Sequence, residues 1–165
     1  MGLFPEQRGV AFARLWQLFH FTPLSPNTTP MAKPEVLLAS VLHPLTGLIY
    51  AVMRIVLGVA FAFHGAQKVL GILGAEAKDI GSQLWIGGVI ELVGGLLIAF
   101  GLMTRTAAFI CSGTMAVAYI QFHWKFQFDS NFWPPINKGE LALVYCFVFL
   151  YIAARGSGPL SLDKK

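Results

Sequence analysis

Seven side chains able to donate, accept or exchange a proton stand in or beside otherwise apolar runs: His64, Gln67, Lys68, Glu91, Gln121, His123 and Glu140. Carboxylates, imidazoles, amides and an ammonium of this kind suit two chemistries. They can relay a proton between carboxylate and imidazole, or hold the polar head of a quinone or thiol compound by hydrogen bonds. A charge at the middle of a lipid-crossing helix costs roughly 2.5 to 3.5 kcal/mol, so these groups are expected to face protein and to pair. Glu91 with Lys68 or with His64 is the natural pairing. The competing reading is an interhelical salt bridge that only fixes the packing. Arg54 and Arg105 form a separate, inner-side basic set.

The elements that must position these groups are four apolar runs, 49–73, 84–103, 107–124 and 139–154. A helix rises about 1.5 Å per residue, so about 20 residues cross a hydrocarbon core of roughly 30 Å. On the first run Arg54, Gly58, Phe61, Gly65 and Lys68 share one side, with His64 at its margin. On the second, Gly87, Gly94, Ile98 and Gly101 share the side of Glu91, with Gly88 and Gly95 at its edges, so another helix can approach closely. Thr104, Arg105 and Thr106 leave room only for a tight turn, which makes the second and third runs a helical hairpin. The third run becomes polar at Tyr119, Gln121 and His123. The loop 125–138, rich in aromatics and prolines, is expected at headgroup level.

Composition agrees with a membrane setting. Of 165 residues 56% are hydrophobic and 12% charged, about half the charge of an ordinary soluble domain, and the mean hydropathy is +0.65. The net charge of +4 arises from single basic residues flanking apolar runs. That pattern is a topology signal and argues against a nucleic-acid partner. With the N-terminus inside, Arg8, Arg14, Lys33, Arg105, Arg155, Lys164 and Lys165 lie on the inner side, against Lys78, Lys125 and Lys138 outside. The positive-inside rule therefore predicts N-in and C-in across the cytoplasmic membrane. On that topology His64 and Glu91 lie roughly 10 Å below the outer boundary, with Lys68, Gln121, His123 and Glu140 shallower.

Residues 1–44 are read as an N-terminal arm or interfacial segment. It contains a weakly amphipathic stretch at 10–21, a turn-rich linker, a second plausible start at Met31 and a short surface helix over 36–42 ended by Pro44. His20 and His43 are expected at the interface without a chemical role. Cys111 and Cys146 have no zinc or CxxC spacing. They are expected to stay free, because helix register places them on the order of 10 Å apart in depth. The chain holds no haem, iron-sulfur, dinucleotide-binding or metal-ligand pattern, so no metal and no cofactor of its own is expected.

In order and spacing, several short elements resemble the DoxX family of small four-span membrane proteins. They are R-x-x-L-G at Arg54, Leu57 and Gly58, H-G-x-Q-K at His64, Gly65, Gln67 and Lys68, and E-x-x-G-G at Glu91, Gly94 and Gly95. G-L-x-T-R ending at Arg105, G-E at Gly139 and Glu140, and G-x-G-x-L-S-L-D closing at Asp163 complete the set. The resemblance covers 45–163 and implies an all-α, integral membrane four-helix bundle. It also implies association with quinone- or thiol-linked oxidoreductase systems, since relatives include subunits of an archaeal quinol oxidase and of a thiosulfate:quinone oxidoreductase. The expected role is a membrane subunit of such a system. In that role the polar cluster binds a quinone and a partner subunit carries the electrons. The alternative is a non-catalytic membrane protein that binds lipid or a protein partner. A small transporter would need several copies, and self-association into a homo-oligomer is open to either reading.

Overall fold

The structure is a computed structural model that describes residues 33–163. Among these residues there are helices and turns but no strand. The stretch at 10–21, His20, Met31 and the terminal Lys164 and Lys165 lie outside the described residues. The chain divides into two units after His43. In the first, helix α1 spans Lys33–Leu42 with Glu35 in its first turn, where a carboxylate complements the exposed N–H groups. It stops before Pro44, and Val36, Leu37, Leu38 and Val41 along it are exposed.

The second unit holds α2 (Thr46–Leu70), α3 (Gln83–Phe100), α4 (Thr104–Ala118), the short α5 (Pro134–Asn137) and α6 (Glu140–Arg155). Helix α2 begins three residues before the apolar run and ends at Gly71, whose φ of 65° gives the left-handed turn that closes a helix. Ser82 caps α3 by accepting from the Trp85 N–H at 3.2 Å. The hairpin turn between α3 and α4 falls at 101–103, and Thr104 already opens α4. After Ala118 the helix widens into a π-type segment, Tyr119–Trp124. Asn131 Nδ2 donates to the carbonyls of His123 and Trp124, at 3.0 and 3.2 Å, and so holds its end.

Helix α2 packs along α3, α4 along α6, and α3 against α4. The α2–α3 contact is close because glycines face backbone. A Cβ on Gly58 would lie 2.7 Å from Gly95 O, and one on Gly95 would lie 2.6 Å from Gly58 O. Phe61, Tyr145 and Phe149 fill the centre, with ring centroids 4.7 to 5.3 Å apart. The opposite faces are apolar and exposed: Val52, Val56 and Phe63 on α2, Val93, Leu96 and Phe100 on α3, Phe109 on α4, and Val144 and Phe147 on α6. Two helical stretches, Pro34–Leu70 and Gln83–Phe100, are long and apolar enough to cross a membrane, and only 33% of each apolar window is buried. A core helix of a soluble protein of this length would be mostly covered.

Candidate functional site

Glu91 is 3% exposed, held on the face of α3 that meets α2. Lys68, in the last turn of α2, reaches across and places Nζ 2.5 and 2.7 Å from the two carboxylate oxygens. Of the two expected partners, lysine is the one bonded. His64, one turn earlier on α2, instead sets its ring edge-on to Tyr145, centroids 6.4 Å apart. The glycines permit the reach: a Cβ on Gly88 would lie 2.7 Å from Lys68 Cβ.

His123 arrives from the π-type segment. Its Nδ1 lies 3.1 Å from Asn137 O. A carbonyl only accepts, so Nδ1 carries the proton and Nε2 of the neutral ring is left as a base. Segments of this geometry recur at functional positions because they re-aim side chains that an α-helix would stack regularly. His64, Lys68, Glu91, His123, Lys138 and Tyr145 line one cavity of about 190 Å³. Tyr145 is 5% exposed, and among the described residues its hydroxyl has no hydrogen-bond partner.

Of the seven residues picked from sequence, the cavity brings together His64, Lys68, Glu91 and His123. Gln67 lies half-buried outside it, its amide 3.5 Å from Leu73 O. Gln121 pairs with Gln83 of α3, and Glu140 is exposed in the first turn of α6. Tyr145 and Lys138 were missed. Tyr145 could have been found as a hydroxyl inside the apolar run of α6, whereas Lys138 carried no signal beyond its place before Gly139.

The two arginines form a second centre at the other end of α2. Arg54 is 0% exposed. It donates through Nη1 to Ile98 O and to Ala99 O at 2.8 Å, and through Nη2 to Leu160 O at 2.7 Å. Its counter-charge is therefore the carbonyl end of α3 and the returning tail. Tyr50 donates its hydroxyl to Gly156 O. Asp163 closes the tail onto the α3–α4 turn: its carboxylate accepts from Met103 N at 2.7 Å and Thr104 N at 3.0 Å, while its own N–H donates to Gly101 O at 2.7 Å. Hydrogen bonding by Thr104, followed by that of the Met103 N–H, holds the Asp163 carboxyl below its ordinary range. Arg105, counted from sequence among the inner-side basic residues, is a capping group. Its Nη1 donates to Ala153 O and Ala154 O, at 2.8 and 2.6 Å, near the end of α6. Backbone acceptors leave no trace in residue identity, which is why this role was not legible.

Both cysteines are free, but they do not differ in depth as helix register predicts. Ser112 Oγ donates to Cys146 O at 2.8 Å, so the neighbouring Cys111 lies near the level of Cys146. What separates the thiols is direction, since Cys111 faces Ile90 of α3.

A helical protein with apolar outer faces around a lysine–glutamate pair whose carboxylate is buried is of the small membrane class. The chain belongs to the DoxX family: that family's profile matches residues 49–124. An uncharacterized protein of Haemophilus influenzae is 41% identical over 119 residues, covering 70% of this chain and 88% of the relative. "Inner membrane protein YqjF" of Escherichia coli is 32% identical, covering 68% and 88%. "Putative oxidoreductase CatD" of Bacillus subtilis is 29% identical, covering 67% and 81%. No solved structure matches.

Proposed function

We propose that this DoxX-family membrane protein is a four-span subunit of a quinone- or thiol-linked oxidoreductase system in the inner membrane, with both termini cytoplasmic. In this reading α2, α3, α4 with its π-type continuation, and α6 are the spans. The cavity in the outer half takes the head of a quinone, and electrons come from a partner subunit. The observation that carries the reading is the neutralised Lys68–Glu91 pair opening onto a cavity with an unpartnered tyrosine hydroxyl. Lys68 Nζ meets both Glu91 oxygens and also lines the cavity. With the Tyr145 hydroxyl and the His123 ring, the wall offers donors and a base to an uncharged ring bearing carbonyl oxygens. The Bacillus subtilis relative's name, an oxidoreductase, and the Escherichia coli relative's, an inner membrane protein, support the redox and membrane parts of the reading.

The test is purification in mild detergent, lipid extraction and mass spectrometry for quinones and co-purifying subunits. Quinone enriched over the bulk membrane, and lost in folded Tyr145→Phe or His123→Leu protein, supports the reading. Loss only in proportion to unfolded protein makes the ion pair a structural brace. Reporter fusions placing Lys78 and Asp129 outside, and Arg105 and Asp163 inside, are expected from the topology.

A further inference from the structure

A groove of about 380 Å³ runs between α3 and α4 and ends at Lys68 and Glu91. Its walls are mainly apolar, with Ile86 and Ile90 on one side and Val117 and Phe122 on the other. Only Lys68 and Glu91 among its lining residues are charged, and they neutralise each other. Lys68, Glu91, Met115, Ala118 and His123 line both groove and cavity, so the two spaces meet at the ion pair. Gln83 and Gln121, hydrogen-bonded to each other, tie α3 to the π-type segment, and Gln83 lines the groove.

Two glycines mark this groove as distinct from the packed helix faces. At Gly58, Gly88 and Gly95 an added Cβ would meet a neighbouring helix at 2.6 to 2.7 Å, whereas at Gly87 and Gly113 it would meet nothing within 4 Å. Glycine inside a helix is less stable than alanine, and neither position gains a close helix contact in exchange. Both line the groove, one on each wall. Their effect is to leave room.

We propose that this groove holds the hydrocarbon chain of an uncharged amphiphile whose flat polar head occupies the adjoining cavity. The inference rests on the headgroup reading above and adds the element that selects for a tail. The two charges on the groove wall cancel, so the wall gives an ionised head no counter-charge while accepting an alkyl or isoprenoid chain, and Lys138, the uncancelled cation of the adjoining cavity, is exposed to water. The chain lies between Gly87 and Gly113 and enters sideways from the apolar face, so the head reaches Lys68 without crossing the Gln83–Gln121 bridge.

The experiment compares decylubiquinone with the same quinone ring lacking a chain, by quenching of tryptophan fluorescence in one detergent. Wild type is expected to bind the decyl compound at least tenfold more tightly. Gly87→Leu with Gly113→Leu should cut that advantage to about twofold or less and leave ring affinity within twofold of wild type. Val117→Phe fills the groove from an exposed position and serves if the double variant does not fold. A groove-filled, folded protein that keeps the full tail advantage overturns the inference. Wild type that binds the ring with no tail advantage overturns it also, with the headgroup reading intact. Wild type that binds neither compound overturns both.

Discussion

Lys68 Nζ sits between the two carboxylate oxygens of Glu91, at 2.5 and 2.7 Å, and joins the last turn of α2 to the middle of α3. The two partners are unequally covered: the Glu91 side chain is 3% exposed and that of Lys68 32%. Glu91 therefore depends on Lys68 more than the reverse. Removing Lys68 strands a buried carboxylate, while removing Glu91 leaves an ammonium that can still turn towards water. Lys68→Met should lower stability in detergent by about 1 to 3 kcal/mol and Glu91→Gln by less. The double change should recover part of the loss. Thermal unfolding of the four proteins closes the cycle, and strict additivity would show that the pair contributes no coupling.

The α2–α3 seam and the groove make opposite predictions for one substitution. Gly58→Ala and Gly95→Ala each push a methyl into backbone at 2.6 to 2.7 Å and should destabilise or abolish folding. Gly87→Ala and Gly113→Ala meet open space and should raise stability by about 0.5 to 1 kcal/mol. Unfolding midpoints of the four single variants decide this, and equal effects at all four would contradict the packing described.

Among the described residues Arg54 has no carboxylate at hydrogen-bond distance; its fork serves carbonyls on α3 and on the tail. Lysine keeps the charge but cannot present two nitrogens in a plane, so Arg54→Lys is not a conservative change. Hydrogen bonds from a charged donor are worth about 1.5 to 3 kcal/mol each. Arg54→Lys should cost about 2 to 4 kcal/mol on that scale, and Arg54→Met more. The tail should become sensitive to protease before the helices unfold, and limited proteolysis followed by mass mapping would show the order.

Asp163 makes the same clamp sensitive to acid. Its carboxyl is held below the ordinary value of 3.8 in the folded protein, so the unfolded chain takes up its proton first as pH falls. The contribution of this group is complete above the unfolded value and is lost as pH drops through the lower, folded one. Wild type should exceed Asp163→Asn in stability by a constant margin from pH 7 to about 5, and the margin should shrink below about 4. A margin unchanged at pH 3 would mean the carboxylate charge contributes nothing.

The sequence reveals the parts of this molecule that depend on side-chain type at helical spacing. Apolar runs mark the helices, and Glu91 with Lys68 is legible because an uncompensated charge in such a run needs a partner within reach. Gly71 and Gly101 end helices close to the ends of the apolar runs. The parts that depend on backbone are not legible in this way. Arg54 and Arg105 bind carbonyls, which every residue possesses, so nothing in the sequence marks the acceptors. The widening at Tyr119–Trp124, which brings His123 to the cavity while Gln121 turns to Gln83, follows no simple periodicity. The cysteines show the same limit: counting residues from helix ends misjudged their level because the ends themselves had shifted.

The Arg54 clamp also fixes an order of events in biosynthesis. Arg54 and its acceptor at Leu160 are 106 residues apart in the chain, and the acceptors on α3 are 44 and 45 residues downstream. When the last residue of α2 is joined to the chain none of these carbonyls has been made. The guanidinium must stay solvated until first α3 and then the returning tail supply its acceptors. Completion of this protein is therefore a late event that follows insertion, and a nascent chain arrested before Pro159 would hold its helices around an arginine only half satisfied.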